Sequence, residues 1–260
     1  MAITLRSPRE IELMRQAGAV VADVLLKLKE KSKPGVNTAY LNDIAMQMVR
    51  ETGAEALFKG VRSPLAKIPF PGAICTSVNE QLVHGIPSDK TNLHDGDILS
   101  IDFGVRLNGY CGDSAITIPI GEISREKRRL MDLTKSLLDI AIEKAAPNVK
   151  WSQIAAVMQE KAESAGFSVV RDFVGHGIGT NMHEDPKVPN FVSRELLAND
   201  IVLTEGMVIA VEPMVNAGSS AVRTLRNGWT VVTKDKKCSA HFEHTIAIVE
   251  NGCEVLTIKK

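Results

Sequence analysis

The sequence lacks an excess of either charge, because 31 basic residues balance 31 acidic ones over 260 positions. This balance gives no indication of a nucleic-acid or membrane-surface partner, so we expect a small molecule or a peptide as the partner. No apolar run approaches the ~18 residues of a membrane span. The opening residues, MAITLRSPRE, also lack the apolar core of a signal peptide. We therefore expect a cytoplasmic protein that acts neither on membranes nor on nucleic acids.

Paired cysteines are missing as well. Cys75, Cys111, Cys238 and Cys253 show no CxxC spacing. A disulfide framework is uncommon in a reducing compartment, so we predict free thiols.

Several segments carry clear secondary-structure signals. Ser7 and Glu10 form a capping box with proline at the first helical position, which predicts a first helix. Three further helices are predicted: one ending at Gly53, one over 126–145, and one from a Ser152 cap to Gly166. We expect an irregular loop over 54–73, a strand over 74–78, and mostly strand and turn after the fourth helix. The length fits one large domain or two fused halves.

A hairpin in the segment ILSIDFGVRLNGYCGDSAITI presents two acids. Asn108-Gly109 suits a two-residue type I′ turn, because both central residues need positive φ. Counting back from this turn sets Gly104 opposite Asp113 and places Asp102 on the same face as Asp113. The two acids then lie roughly 7–8 Å apart along a diagonal, where their side chains can converge on a cation. Two unremarkable surface acids remain the alternative at this point.

The two halves of the chain repeat the same order of signals. Each half has a proline nineteen residues before a glycine, then His-Gly-Ile, then a glycine six residues before an acid. The repeated positions are Pro34–Gly53 and Pro147–Gly166, His84 and His176, and Gly96–Asp102 and Gly206–Glu212. Such repetition indicates two related α/β units, over approximately 8–120 and 121–260, within one catalytic domain. Asp102 and Glu212 would then approach one central point from opposite sides.

The second half supplies further candidate metal ligands. Glu212 ends an apolar strand, a costly place for an unpaired charge. Alternation in SAHFEHTIAIV puts His241, Glu243 and Thr245 on one face, and His176 lies in the glycine-rich VGHGIGTNMHEDP. Four carboxylates and one imidazole are too many ligands for one tetrahedral zinc and suit two divalent ions ~3.5–4 Å apart. A structural role remains the alternative for any single member.

These motifs together resemble the type I methionine aminopeptidases, along essentially the whole chain. The resemblance rests on NEQLVHGIP, the D-x(10)-D hairpin, GHGIG followed by His183, VEPMVNAG and FEHT. It implies an α/β (α+β) pita-bread fold whose two pseudo-symmetric halves enclose a dinuclear metal site. It also implies a compact cytoplasmic enzyme, working as a monomer on the N-termini of nascent polypeptides, at the ribosome among other places.

The resemblance implies roles for individual residues. Asp102, Asp113, His176, Glu212 and Glu243 would hold two divalent ions such as Mn, Fe(II) or Co, with Asp113 and Glu243 bridging them. A bridging hydroxide would attack the peptide bond after the initiator methionine. Glu212 would carry its proton, while His84 and His183 would stabilise the oxyanion and the leaving amide.

The chain departs from this family before Cys75. It reads LAKIPFPGA where a GYHGFP-like stretch is typical, so Lys67 replaces a pocket tyrosine, and Met182 replaces a phenylalanine. Phe70, Cys75 and Trp229 still fit a methionine pocket, and we expect the Lys67 ammonium to reach solvent.

Two other histidines have weaker claims to the site, and two other functions remain as alternatives. We predict that His94 is a solvated turn residue and that His241 lies behind Glu243. A proline-directed peptidase and a non-catalytic peptide-binding homologue are the alternative functions. Cleavage of Met-Ala-Ser would favour the aminopeptidase, whereas cleavage of an Xaa-Pro dipeptide would favour the proline-directed peptidase. A non-catalytic homologue would typically have lost some of the metal ligands.

Overall fold

The computed structural model describes residues 3–259. Its helices are α1 (Pro8–Lys31), α2 (Thr38–Thr52), α3 (Arg125–Lys144), α4 (Trp151–Ser164) and the short α5 (Arg194–Ala198). None of these helices has the length and apolar character needed to cross a membrane. The first four were predicted from the sequence, whereas α5 was not.

The strands fall into three groups along the chain. The first is β1 (Glu55–Ala56), β2 (Cys75–Val78), β3 (Gln81–Val83), β4 (Ile98–Leu107) and β5 (Tyr110–Pro119). The second is β6 (Ser168–Val169), β7 (Gly175–Gly177), β8 (Glu184–Val188), β9 (Val208–Val211) and β10 (Met214–Asn216). The third is β11 (Val222–Thr224), β12 (Val231–Thr233), β13 (Ser239–His241), β14 (Glu243–Val249) and β15 (Gly252–Val255). As expected, residues 54–73 are irregular apart from β1.

The helix ends follow the sequence signals with one exception. Ser7 and Glu10 form the predicted capping box at the start of α1, and Gly53 ends α2 in the left-handed conformation at φ +71°. The predicted Ser152 cap of α4 is wrong. The helix already begins at Trp151, and Asp200 replaces a local cap by accepting hydrogen bonds from the Ser152 N–H (3.1 Å) and hydroxyl (2.6 Å). A partner that distant in sequence leaves no local signal.

The predicted hairpin forms in the predicted register. Asn108 and Gly109 make the turn with φ of +52° and +83°, so that β4 and β5 pair along ten residues each. Gly104 lies opposite Asp113, and Asp102 lies opposite Ala115. The two acids therefore share one face of the sheet.

The largest sheet joins strands from distant parts of the chain. Its order is β1-β4-β5-β14-β9-β7-β8, with β2 also on β4 and β15 also on β14. Strand β14 inserts antiparallel between β5 and β9, which brings Glu243 opposite Ala115. Two apolar clusters flank this sheet: one packs α1 and α2 against β4 and β5, and the other packs α3 and α4 against β9 and β14.

The repeated glycines occupy equivalent backbone positions. Gly96 and Gly206 have φ of +90° and +89°, in turns that precede β4 and β9 respectively. Each N–H donates over 2.9 Å to an isoleucine carbonyl near the end of the neighbouring strand, Ile120 for Gly96 and Ile248 for Gly206. The same turn thus positions both acid-bearing strands.

Candidate metal centre

A cavity of about 260 Å³ lies against the centre of the large sheet. All ten candidate site residues line it: Phe70, Cys75, His84, Asp102, Asp113, His176, His183, Glu212, Trp229 and Glu243. Residues separated by more than 170 positions in the chain therefore meet at one place.

Strand register explains how three of the acids converge. Asp102 on β4 and Glu243 on β14 both pair with Ala115, from opposite sides of β5. Asp113 precedes Ala115 by two residues and so points to the same face. Thr245 holds this register by accepting the Asp113 N–H (3.2 Å) and donating to the Asp113 carbonyl (2.8 Å).

The remaining two candidate ligands come from β7 and from the end of β9. His176 lies opposite Ala210 of β9, and Glu212 directly follows that strand. Asn190, which is fully buried, donates from Nδ2 to the Glu212 carbonyl at 3.0 Å. The backbone of Glu212 is thus held by a side chain that the sequence analysis did not single out.

The polar atoms of this cluster approach one another without forming hydrogen bonds. One ligand atom each of Asp113, His176 and Glu243 lies within 4.8 Å of the other two. His176 Nε2 is 3.6 Å from Glu212 Oε1 and 3.9 Å from Asp113 Oδ2, beyond the usual range of a hydrogen bond. Asp102 Oδ1, Asp113 Oδ1 and Glu243 Oε1 are buried without any partner. Buried carboxylate oxygens rarely lack a partner, so these three atoms are suited to contact a cation.

Burial disfavours the charged form of every carboxyl group here, and neighbouring carboxylates add to this effect for all of them except Asp102. Burial raises the pKa of Asp102 to about 7. Burial and then the Asp102 charge raise the pKa of Asp113 well above its ordinary value. Glu212 and Glu243 have raised pKa values for the same two reasons, burial first and neighbouring carboxylates second. A divalent cation would reverse this effect by compensating the charges.

The imidazoles around the cavity are neutral for a related reason. Burial, and to a smaller extent the nearby His183, lowers the pKa of His84 and of His176 to about 4. Burial also lowers the pKa of His183, whose ring centroid lies 4.4 Å from that of His176. Neutral imidazoles can ligate a metal or donate one hydrogen bond each.

The donor set fits divalent metal ions. Carboxylate oxygens with one imidazole suit Mn²⁺, Fe²⁺, Co²⁺ and similar ions, and the orphaned buried oxygens are the atoms that a cation would satisfy. The cluster provides more ligands than a single tetrahedral ion uses.

An apolar wall completes the cavity. Phe70 and Trp229 meet edge to face with ring centroids 5.3 Å apart, and Trp229 Nε1 donates to the Ile68 carbonyl at 3.0 Å. Cys75 packs in the same cluster, next to Asp102 across the β2–β4 pair. Lys67 is exposed, as expected.

The two secondary histidines differ in their surroundings. His94 is exposed beside Asp97, which confirms its assignment as a turn residue. His241 is 2% exposed and lies 3.7 Å from Glu212 Oε2 and 3.9 Å from Glu243 Oε2 through its Nε2. It therefore contacts two carboxylates, whereas the sequence indicated only one. Apolar lining residues such as Phe173 and Met214 carried no signal in the sequence.

Comparisons with known proteins agree with this geometry. Metallopeptidase family M24 matches residues 12–250. Methionine aminopeptidase 1 of Bacillus subtilis (strain 168) is 47% identical over 255 residues, which cover 98% of this chain and 99% of the relative. The Escherichia coli (strain K12) methionine aminopeptidase is 41% identical, covering 100% and 96%. The crystal structure of methionine aminopeptidase from Thermotoga maritima superposes with a TM-score of 0.93 at 37% identity, covering 99% and 100%. The expected pita-bread fold is confirmed.

Proposed function

This chain belongs to the methionine aminopeptidases of metallopeptidase family M24 and removes the N-terminal initiator methionine, and we propose that the central cavity performs that reaction with two divalent ions. The observation that carries this assignment is the convergence of four carboxyl groups and one imidazole on one cavity, where Asp102 Oδ1, Asp113 Oδ1 and Glu243 Oε1 are buried without a partner. Neither alternative function has comparable support. Identity to methionine aminopeptidases extends over nearly the whole chain, and every candidate ligand is present.

The residues that would hold the ions are Asp102, Asp113, His176, Glu212 and Glu243, all of which line the cavity. Bound divalent ions supply a Lewis acid for the scissile carbonyl and lower the pKa of a water molecule. Mn, Fe(II) and Co all suit this oxygen-rich set, and availability decides among them.

Glu212 is the proposed proton carrier between water and the leaving nitrogen. Its two carboxylate oxygens lie 3.6 Å from His176 Nε2 and 3.7 Å from His241 Nε2, and its backbone carbonyl accepts from Asn190. The hydrogen bond from Asn190 supports a fixed position of the backbone that carries this carboxylate. A fixed carboxylate needs no rearrangement when the proton moves.

His84 and His183 are the proposed hydrogen-bond donors. Both line the cavity and are kept neutral by burial, which lowers their pKa values. A neutral imidazole can donate its single N–H to the developing oxyanion or to the leaving amide. Such donors act strongly where water is excluded.

The apolar wall supports methionine as the residue removed. Phe70, Cys75 and Trp229 offer aromatic and sulfur surroundings, which suit a polarizable thioether. The cavity volume of about 260 Å³ lies below the roughly 300–1,000 Å³ of pockets for drug-sized ligands. We propose that it receives one terminal residue of a nascent polypeptide, and that the enzyme acts as a cytoplasmic monomer, including at the ribosome.

The test is peptide cleavage by metal-free protein titrated separately with Mn²⁺, Fe²⁺ and Co²⁺. Met-Ala-Ser should be cleaved only after metal is added, with full rate at two ions per chain, while an Xaa-Pro dipeptide stays intact. Full rate at one ion per chain would contradict the dinuclear proposal, and cleavage of the dipeptide would contradict the substrate assignment.

A further inference from the structure

The segment that precedes α1 crosses the connection between β7 and β8. Arg6, in this segment, is only 9% exposed, and its backbone N–H donates to the Gly206 carbonyl at 2.7 Å. The connection it crosses, residues 178–183, ends with His183, and Glu184 begins β8. Arg6 is separated from both by most of the chain.

The Arg6 guanidinium is held on this connection by charge and by shape. Nη2 donates to Glu184 Oε2, and Nη1 lies 3.8 Å from Glu10 Oε1. The guanidinium also packs against Gly179, where even a methyl group would collide with it. A buried guanidinium without a carboxylate partner is costly, so this contact fixes the position of Glu184.

Glu184 in turn organises the residues that precede it. Its second oxygen, Oε1, accepts the Asn181 N–H at 2.9 Å and the Thr180 hydroxyl at 3.4 Å. The Glu184 carboxylate therefore has two roles. Its Oε2 binds Arg6, and its Oε1 closes the turn that leads into His183. The His183 ring lies against His176, with centroids 4.4 Å apart.

We propose that Arg6 is a positioning residue for catalysis, which acts through Glu184 to hold His183 at its place in the cavity. This inference rests on the proposed role of His183 as a hydrogen-bond donor. Displacement of a catalytic group by about 1 Å can cost up to a hundredfold in rate. Arg6 itself does not line the cavity, so it contributes no contact to the substrate.

A double-mutant cycle separates positioning from general stabilisation. We would measure kcat and KM for Met-Ala-Ser in Arg6→Gln, His183→Ala and the double variant, together with bound metal and urea denaturation. Arg6→Gln should lower kcat about tenfold to a hundredfold, with KM and metal content unchanged. In the His183→Ala background it should lower kcat no further, because residues that act as one unit are not additive.

Two more variants sharpen the cycle. Arg6→Lys keeps the charge but loses the planar fork, so it should recover part of the lost kcat. Arg15→Gln is a matched control, because Arg15 lies on α1 close to Arg6 in the chain, and its guanidinium pairs with Glu254 rather than with Glu184. It should keep the wild-type kcat.

The outcomes distinguish this inference from the proposed function. If His183→Ala retains the wild-type kcat, the assigned role of His183 fails. If His183→Ala loses activity but Arg6→Gln does not, or if the two losses multiply, only the role of Arg6 is overturned. Should Arg6→Gln not fold, Glu184→Gln replaces it, because that change removes the ion pair but keeps an acceptor for Asn181. The same criteria then apply.

Discussion

Two neighbouring residues of β14 face opposite sides of the sheet and differ in how their polar atoms are satisfied. Glu243 faces the 260 Å³ cavity, and its Oε1 has no hydrogen-bond partner. His244 faces a larger groove of 610 Å³, and its Nδ1 lies 2.9 Å from the Thr257 hydroxyl and 3.3 Å from the Ser114 hydroxyl. The smaller space holds the unsatisfied groups.

This difference shows that unsatisfied polar groups, rather than volume, locate the chemistry. The groove is lined by Ser114 and Thr257, whose hydroxyls also bond to backbone atoms of β14. Polar groups whose hydrogen bonds are satisfied stabilise a fold. Buried polar groups without partners lower its stability and persist where function requires them. Four predictions test the contrast.

The largest effect is expected on the cavity side. Glu243→Ala or Asp102→Ala should reduce cleavage of Met-Ala-Ser to background, more than the roughly 10–100-fold loss typical of residues behind a metal ligand. Calorimetric titration with Mn²⁺ should show lost sites, with His244→Ala as the adjacent control that keeps them. Full metal stoichiometry and normal turnover in both variants would refute the ligand assignment.

The second prediction concerns a cavity residue proposed not to bind metal. His183→Ala should lower kcat by roughly a hundredfold or more, the scale of one lost oxyanion donor. Its metal content should equal that of the wild type, because His176 is the nitrogen ligand of the proposed set. Loss of an ion, with full rate restored by excess metal, would instead make His183 a ligand.

Substrate selectivity gives the third and smaller effect. An apolar pocket discriminates by only about 1–3 kcal/mol per methylene, so norleucine should substitute fairly well for methionine, while leucine and alanine fall behind. The measurement is kcat/KM for peptides that begin with Met, norleucine, Leu, Ala or Glu. A preference for Glu would place the Lys67 ammonium inside the pocket, contrary to its exposure.

The smallest effect is expected on the groove side and appears in stability. His244→Ala removes the hydrogen bond to the Thr257 hydroxyl, which keeps its bond to the Thr245 N–H, so it should lower the free energy of unfolding by about 0.5–1.5 kcal/mol. Urea denaturation of metal-free protein measures this change, and the activity of the metal-loaded variant should be retained. An inactive variant of wild-type stability would show that both faces of β14 serve the reaction.

Local signals predicted much of this structure. The Asn108-Gly109 turn determined the register that places Asp102 and Asp113 on one face, because a two-residue turn leaves one pairing. Alternation likewise predicted that Glu243 faces inward. The repeat of the two halves indicated Glu212, the glycine-rich segment indicated His176, and the cavity brings all of these residues together.

Long-range pairing was less accessible from the sequence. Nothing local to β14 indicated that it lies between β5 and β9, and the Asp200 contacts that replace the cap of α4 were missed for the same reason. The proximity of His241 to Glu212 likewise depends on β10 pairing with β13. Partners of this kind are defined only once the sheet has formed.

The insertion of β14 between β5 and β9 also has a consequence for synthesis on the ribosome. Glu243 follows Asp102 by more than half of the 260-residue chain, an interval of roughly 7–28 s at 5–20 residues per second. Until β14 emerges, β5 is an open strand edge that can pair with other chains. During this interval the nascent chain cannot assemble its metal site, because Glu243 is missing. The open edge of β5 also makes the chain most prone to aggregation.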